Sequence, residues 1–267
     1  MDKKEIEING KKFVFRIYGE GKPVLLIHGF GELENVWKNQ LDALSGKYRI
    51  IVPDLPGSGE SDLIPDMSIE GMAEPIKIMM DEENIKKCCI IGHSMGGYIT
   101  LAIAEKYPEY LEAFGLFHST AFADTDEKKS TRRKGIDFIK EYGAFAFLKN
   151  TTPNLFSPAT TAEKPGLIDE QIETLTGFTD TSLILYYEAM INRPDRTHIL
   201  RNSTIPILFV AGKYDNAVPI IDSLKLCHLA PLSYFYTLEN SGHMGMLEEA
   251  GKTIHILEEF LNTVSIT

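Results

Sequence analysis

One short stretch carries the most chemistry in this chain: Gly92-His93-Ser94-Met95-Gly96. It follows an apolar run, Cys88–Gly92, that reads as a strand, and it opens a stretch of helical spacing, Met95–Lys106. A serine on a tight strand-to-helix turn projects outward only where close neighbours lack side chains, as Gly92 and Gly96 do. The helix N-terminus behind it favours negative charge developing at the hydroxyl. A nucleophile elbow requires this context. The plainer reading is a glycine-rich turn with an incidental serine.

A nucleophilic serine needs a base, an acid to orient the base, and donors for the oxyanion. His243 lies in Asn240-Ser241-Gly242-His243, just past the apolar run Leu232–Leu238, and Asp215 lies just past Ile205–Ala211. Both positions are carboxyl ends of expected strands, where an open α/β sheet places its ligand crevice. The order Ser94, Asp215, His243 matches the one expected for this turn. Asp124 and Asp126, after the run ending at Phe117, are weaker candidates for the acid. His28-Gly29-Phe30-Gly31 closes an earlier strand, so the backbone N–H groups of Phe30 and Met95 are the expected oxyanion donors. His28, His93, His118 and Val218, beside these motifs, are expected to line the substrate pocket. His198, His228 and His255 sit in helical stretches, where packing or surface roles are the default.

Other chemistries lack support. Gly57 and Gly59 lie in Asp54-Leu55-Pro56-Gly57-Ser58-Gly59-Glu60-Ser61, but the spacing is not that of a phosphate loop and no Gly-Lys-Ser/Thr follows. No Cys-x-x-Cys, His-Glu-x-x-His or calcium-loop pattern occurs, so no metal is expected. Cys88, Cys89 and Cys227 make no disulfide framework and read as reduced, with the adjacent pair pointing to opposite faces of a strand. The chain has 267 residues, 43% hydrophobic and 24% charged, enough for a sizeable core. Thirty-eight acids against 27 Lys and Arg leave a net charge of -11, which argues against nucleic acid and anionic membrane surfaces as partners. There is no apolar run of spanning length and no secretion-signal pattern at the start, so a cytoplasmic location is expected. Oligomeric state is left open.

The elements that must position these residues follow a rhythm. Residues 4–18 alternate about Asn9-Gly10, a hairpin signal. Strands are expected at Val24–His28, Tyr48–Pro53, Cys88–Gly92, Leu111–Phe117, Ile205–Ala211 and Leu232–Leu238. Helices are expected at Val36–Leu44, Ile69–Glu83, Met95–Lys106, Pro219–His228 and Met246–Val264. Such alternation implies an α/β fold with a mainly parallel sheet covered by helices on both faces. Residues 122–195 break the rhythm and show no clear strand. They read as a helical cap, or lid, inserted in a core made of residues 1–121 and 196–267. Within the cap, Lys128-Lys129 and Arg132-Arg133-Lys134 form a basic cluster. Most such runs are solvated helix faces; guiding an anionic substrate is the lesser reading.

Taken in order, His28-Gly29-Phe30-Gly31, Asp54-x-x-Gly57-x-Gly59-x-Ser61, Gly92-His93-Ser94-Met95-Gly96-Gly97, Gly212-x-x-Asp215 and Gly242-His243 resemble the α/β-hydrolase family over nearly the whole chain. The resemblance implies an eight-stranded sheet, a catalytic triad of Ser94, Asp215 and His243, a helical cap and no cofactor. Ser94 stands where epoxide hydrolases and haloalkane dehalogenases of this fold carry aspartate and dienelactone hydrolases carry cysteine. Proline iminopeptidases resemble Gly-Gly-Ser-Trp-Gly at the turn, and Phe30 interrupts the glycine run of lipases. What remains resembles small-molecule carboxylesterases, enol-lactonases, thioesterases and carbon–carbon bond hydrolases. The cap aromatics Phe138, Phe145, Phe147, Phe156, Phe178, Tyr186 and Tyr187 suit an apolar pocket, though packing accounts for most of them. The expectation is a serine hydrolase of a small or medium apolar carboxylic ester, working through an acyl-enzyme. Carbon–carbon cleavage or enol-lactone opening, and a ligand receptor or scaffold without turnover, are the alternatives.

Overall fold

The protein is described by a computed structural model that covers residues 1–266, with side chains through Val264. Asn9 and Gly10 both take positive φ, 52° and 73°, and turn β1 (Asp2–Ile8) back onto β2 (Lys11–Tyr18) as an antiparallel pair. The remaining strands are β3 (Lys22–Ile27), β4 (Tyr48–Pro53), β5 (Cys88–His93), β6 (Leu111–Phe117), β7 (Ile207–Gly212) and β8 (Ser233–Leu238). They form one eight-stranded sheet in the order β1-β2-β4-β3-β5-β6-β7-β8. From β4 to β8 every neighbouring pair is parallel; β2 joins β4 antiparallel. The chain leaves β3 to one side for β4 and returns to its other side as β5. The crevice beyond the carboxyl ends of β3 and β5 is therefore the topological switch point.

Both faces of the central strands are buried, and residues alternate between two apolar cores. Leu25, Ile51, Cys88 and Ile90 belong to one; Val24, Leu26, Cys89 and Ile91 belong to the other. The adjacent cysteines do point to opposite faces, and both are buried free thiols. Helices α1 (Lys38–Leu44) and α12 (Ala250–Ile266) pack together over one face. Helices α2 (Ile69–Glu82) and α3 (Met95–Lys106) pack together over the other. The first expected helix is divided, with a 3₁₀ turn over Glu34–Trp37 preceding α1.

Between β6 and β7 lie only helices among the described residues: α4 (Asp126–Tyr142), α5 (Ala144–Thr151), α6 (Pro158–Glu163), α7 (Pro165–Glu173), α8 (Asp180–Asn192) and α9 (Thr197–Asn202). After β7 come α10 (Ile220–Cys227), then β8, then α11 (Gly245–Glu248). The stretch expected as one helix from Met246 is thus two, broken at Glu249. The break has a cause in hydrogen bonding. Glu248 accepts from the amides of Gly242 and Ser157, both at 2.8 Å, and Glu249 accepts from the amide of Asn240 at 2.9 Å and the hydroxyl of Ser241 at 2.7 Å. The two carboxylates hold the 240–243 loop in place instead of continuing a helix face.

Candidate active site

Ser94 sits between β5 and α3 with φ 50° and ψ -116°, a left-handed conformation that a side chain adopts only under strain. Its surroundings hold it there. The Ser94 amide donates to the carbonyl of Phe117 at 3.0 Å, and the Ser119 hydroxyl donates to the Ser94 carbonyl at 2.7 Å. The flanking glycines are a steric demand. A Cβ on Gly92 would fall 2.3 Å from the carbonyl oxygen of Gly96, and one on Gly96 would fall 2.5 Å from that of Ile27. Both obstacles are backbone and cannot swing away. Gly96→Ala is therefore expected to cost about 1–3 kcal/mol of stability, the scale of an overpacked core. Urea unfolding of the two proteins checks this, and an unchanged midpoint would show that the turn relaxes freely.

Asp215 follows β7 and His243 follows β8. The Nδ1–H of His243 donates to Asp215 Oδ2 at 2.7 Å. The other carboxylate oxygen accepts from the amides of Ala217 and Val218, both at 2.8 Å. A second imidazole joins: His118 donates from Nδ1 to the same Oδ2 at 3.0 Å. Asp215 thus meets four donors, and it lies far below the usual carboxylate range: burial works against the charged form, and the two imidazoles overcome it. His118 is pulled down to about 4, chiefly by burial, so it is neutral near pH 7. For His243, burial favours the neutral ring, but the Asp215 charge outweighs it and the net shift is upward. His118, Asp215 and His243 offer ligand atoms within 4.8 Å of one another. Both imidazoles, however, direct Nδ1 at a carboxylate oxygen over hydrogen-bond distances, so the donor set closes on itself.

The expected pocket residues divide. Ser94, His243 and Val218 line one cavity of about 150 Å³, together with Phe30. His28, His93 and His118 do not line it; each has no exposed surface. This corrects the sequence expectation: each ring is buried and hydrogen-bonded within the protein, His28 and His93 partly to backbone and His118 to a carboxylate. His28 donates from Nδ1 to the Gly29 carbonyl at 2.9 Å and accepts from the Leu55 amide at 3.2 Å on Nε2. His93 bonds Glu32 at 2.8 Å through Nδ1 and the His243 carbonyl at 2.9 Å through Nε2. His118 braces Asp215. Asp124 pairs with Arg132 and Arg193, away from His243, and Asp126 opens α4.

Glu32 was not legible as a site residue. It is 3% exposed, and its Oε2 accepts both His93 Nδ1–H and the Gly29 amide, the latter at 2.6 Å. One carboxylate therefore ties the loop after β3 to the serine turn, and through His93 to the loop carrying His243. Burial pushes its carboxyl up, but His93 and the Gly29 amide bring it below the ordinary value. Its only sequence signal is an acid three residues after Gly29, which any surface loop can show.

The cavity lies beneath the helices that follow β6. Its apolar wall includes Leu148, Leu175, Met190 and Met244, and Phe30 stacks on Tyr187 with ring centroids 4.4 Å apart. Of the seven aromatics singled out between residues 122 and 195, only Tyr187 lines it; Phe145 is exposed, and Phe147, Phe156, Phe178 and Tyr186 are buried in packing. Among the charged side chains in the wall are Glu32 and Arg132.

A family model described as alpha/beta hydrolase fold matches residues 22–142. A solved esterase from Thermogutta terrifontis, with malate bound, superposes with a TM-score of 0.92 at 28% identity, covering 99% of each chain. The chain has the α/β-hydrolase fold. The enol-lactonase of Burkholderia xenovorans shares the fold at a TM-score of 0.89 and 21% identity, over 97% of this chain and all of that one. A 2-hydroxy-6-oxononadienedioate/2-hydroxy-6-oxononatrienedioate hydrolase from Pseudomonas is 25% identical over 98% of this chain and 95% of that one. Among the described residues, no helix is long and apolar enough to cross a membrane.

Proposed function

We propose that this α/β hydrolase cleaves a small carboxylic ester with an apolar body, using Ser94, His243 and Asp215 as a triad. One observation carries the reading: the Asp215–His243 hydrogen bond of 2.7 Å opens onto the same cavity as Ser94, which is held in its left-handed turn. Asp215 holds the proton on His243 Nδ1, which leaves Nε2 as the basic nitrogen. That nitrogen takes the Ser94 proton as Oγ forms a bond to the acyl carbon. The C–O bond to the alcohol breaks and His243 returns the proton to the departing oxygen. Water then attacks the acyl-enzyme with His243 again as base, releasing the acid. The amides of Phe30 and Met95 hold the oxyanion; Met95 is the first residue of α3, so its N–H has no partner within the helix. The helices from 122 to 195 act as the cap, and Val218 completes the acyl wall.

The solved esterase relative supports this reading, being similar over the full length of the chain. Lactone opening and carbon–carbon cleavage use the same triad, and a receptor role uses none of it. A panel of methyl esters, an enol-lactone and a vinylogous diketone, followed by pH-stat and absorbance, separates them. Multiple turnovers on the esters with little on the diketone are expected; no turnover of any ester would overturn the reading.

The pH profile is a second check. His243 must be neutral to act as base, and Asp215 raises its pKa above the ordinary histidine value near 6.5. The acidic limb of kcat/KM should therefore have its midpoint above pH 6.5. A rate flat from pH 5 to 8 would contradict a histidine base.

A further inference from the structure

The basic run on α4 is not wholly a solvated face. Arg133 and Lys134 are exposed, but Arg132 turns inward and lines the cavity that holds Ser94 and His243. Its neighbour one helical turn earlier, Lys128, reaches the same rim and donates to the carbonyl of Ala217, another lining residue, at 3.1 Å. In a chain of net charge -11, two cations thus converge on an otherwise largely apolar cavity.

The charges behind that wall do not cancel. Asp124 is a buried carboxylate shared by two guanidiniums: Arg132 Nε at 2.6 Å and Arg193 Nη1 at 2.9 Å. Arg193 is otherwise committed. It donates to the carbonyls of Met190 and Phe122 at 2.7 and 3.0 Å, and its guanidinium lies 3.8 Å from the centroid of Tyr98. Arg132 meets Asp124 through Nε and more distantly through Nη2, and it lies 5.6 Å from the centroid of Tyr187. Two positive charges against one negative leave one unit over, and Arg132 is the member of the trio in the cavity wall. The other charged wall residue, Glu32, has its Oε2 bound to the Gly29 amide and His93. A surplus charge in a partly buried position is costly to a fold unless an anion joins it. Arginine also presents a planar fork that matches a carboxylate.

We propose that Arg132 forms a carboxylate subsite, and that the substrate is an ester bearing a second, free carboxylate, such as the half-ester of a short dicarboxylic acid. This rests on the ester-hydrolase reading above and narrows its substrate. The ester carbonyl lies at Ser94, the short carbon chain against Leu148, Leu175 and Met190, and the free carboxylate on Arg132. Lys128, at the rim, adds attraction for the incoming anion.

The test compares monomethyl glutarate with methyl valerate, which has a methyl group in place of the free carboxylate. Wild-type kcat/KM is expected to favour the glutarate ester. The ratio of the two kcat/KM values should fall about 10- to 100-fold in Arg132→Gln, the range for a hydrogen bond to a charged group. Arg132→Lys should retain part of the preference. If Arg132→Gln does not fold, the wild-type ratio still decides: a ratio at or below one overturns the subsite. Hydrolysis of methyl valerate without preference for the glutarate ester would sink the subsite and leave the ester-hydrolase reading standing. Failure of both esters, with Ser94 inert to an organophosphorus probe, would sink that reading itself. Calorimetric titration of glutarate into Ser94→Ala protein gives a readout free of turnover, and binding as strong after adding Arg132→Gln would also overturn the proposal.

Discussion

Ser94→Ala is expected to lower kcat on any ester substrate by about 10⁶-fold, the scale seen when a hydrolytic serine is removed from a triad. The structure makes this substitution informative. Alanine occupies the same backbone volume, so the turn pinned by Phe117, Ser119 and the flanking glycines keeps its form. The oxygen that would bond to the acyl carbon is gone, while the cavity, the amides proposed to hold the oxyanion and the Asp215–His243 pair remain. Residual rate from these alone should amount to about 10³–10⁴ over water. Substrate binding, read by calorimetry, should survive. Loss of binding together with rate would point to a collapsed turn, and full retention of rate would place the nucleophile elsewhere.

The second large effect concerns Asp215. Asp215→Asn is expected to lower kcat by about 10⁴-fold, as removal of the orienting acid does in triads of this kind. The reason lies in the count of donors. The aspartate accepts two imidazole N–H groups on Oδ2 and two amides on Oδ1. Asparagine has only one oxygen to offer. If its NH₂ faces the histidines, His243 must present Nδ1 as an acceptor, which puts the proton on Nε2 and leaves no base toward Ser94. If the NH₂ instead faces Ala217 and Val218, two backbone donors meet a donor and the loop after β7 loses its anchor. Either arrangement removes the catalytic tautomer or its support. Steady-state rates with near-ultraviolet circular dichroism check this. A variant that keeps its spectrum and most of its rate would show that Asp215 does not orient the base.

Much of the scaffold was legible because its signals are local. Asn9-Gly10 specifies a tight turn by backbone preference, and apolar runs of six or seven residues bounded by loops specify buried strands. Tyr48–Pro53 and Leu111–Phe117 were read to the residue for this reason. The serine turn was legible because two glycines are demanded by close backbone approach, which leaves a fixed spacing. What resisted reading depends on contacts distant in sequence. Glu32 matters only because folding brings Gly29, His93 and the His243 loop around one oxygen. His28, His93 and His118 stand beside catalytic motifs, yet the sheet turns them into its interior. The break at Glu249 arises from carboxylates bonding a loop that the helical periodicity cannot register. Arg132 is one of five basic residues in seven positions, and only the seating of α4 against the cavity separates it from Arg133 and Lys134.

The central claim is that Ser94 is an activated nucleophile, and a fluorophosphonate tests it most directly. Intact mass and peptide mapping after incubation should show a single adduct on Ser94, with labelling strongly slowed in His243→Ala. An unlabelled, folded protein, or an adduct on Ser94 that forms as fast without His243, would contradict the triad.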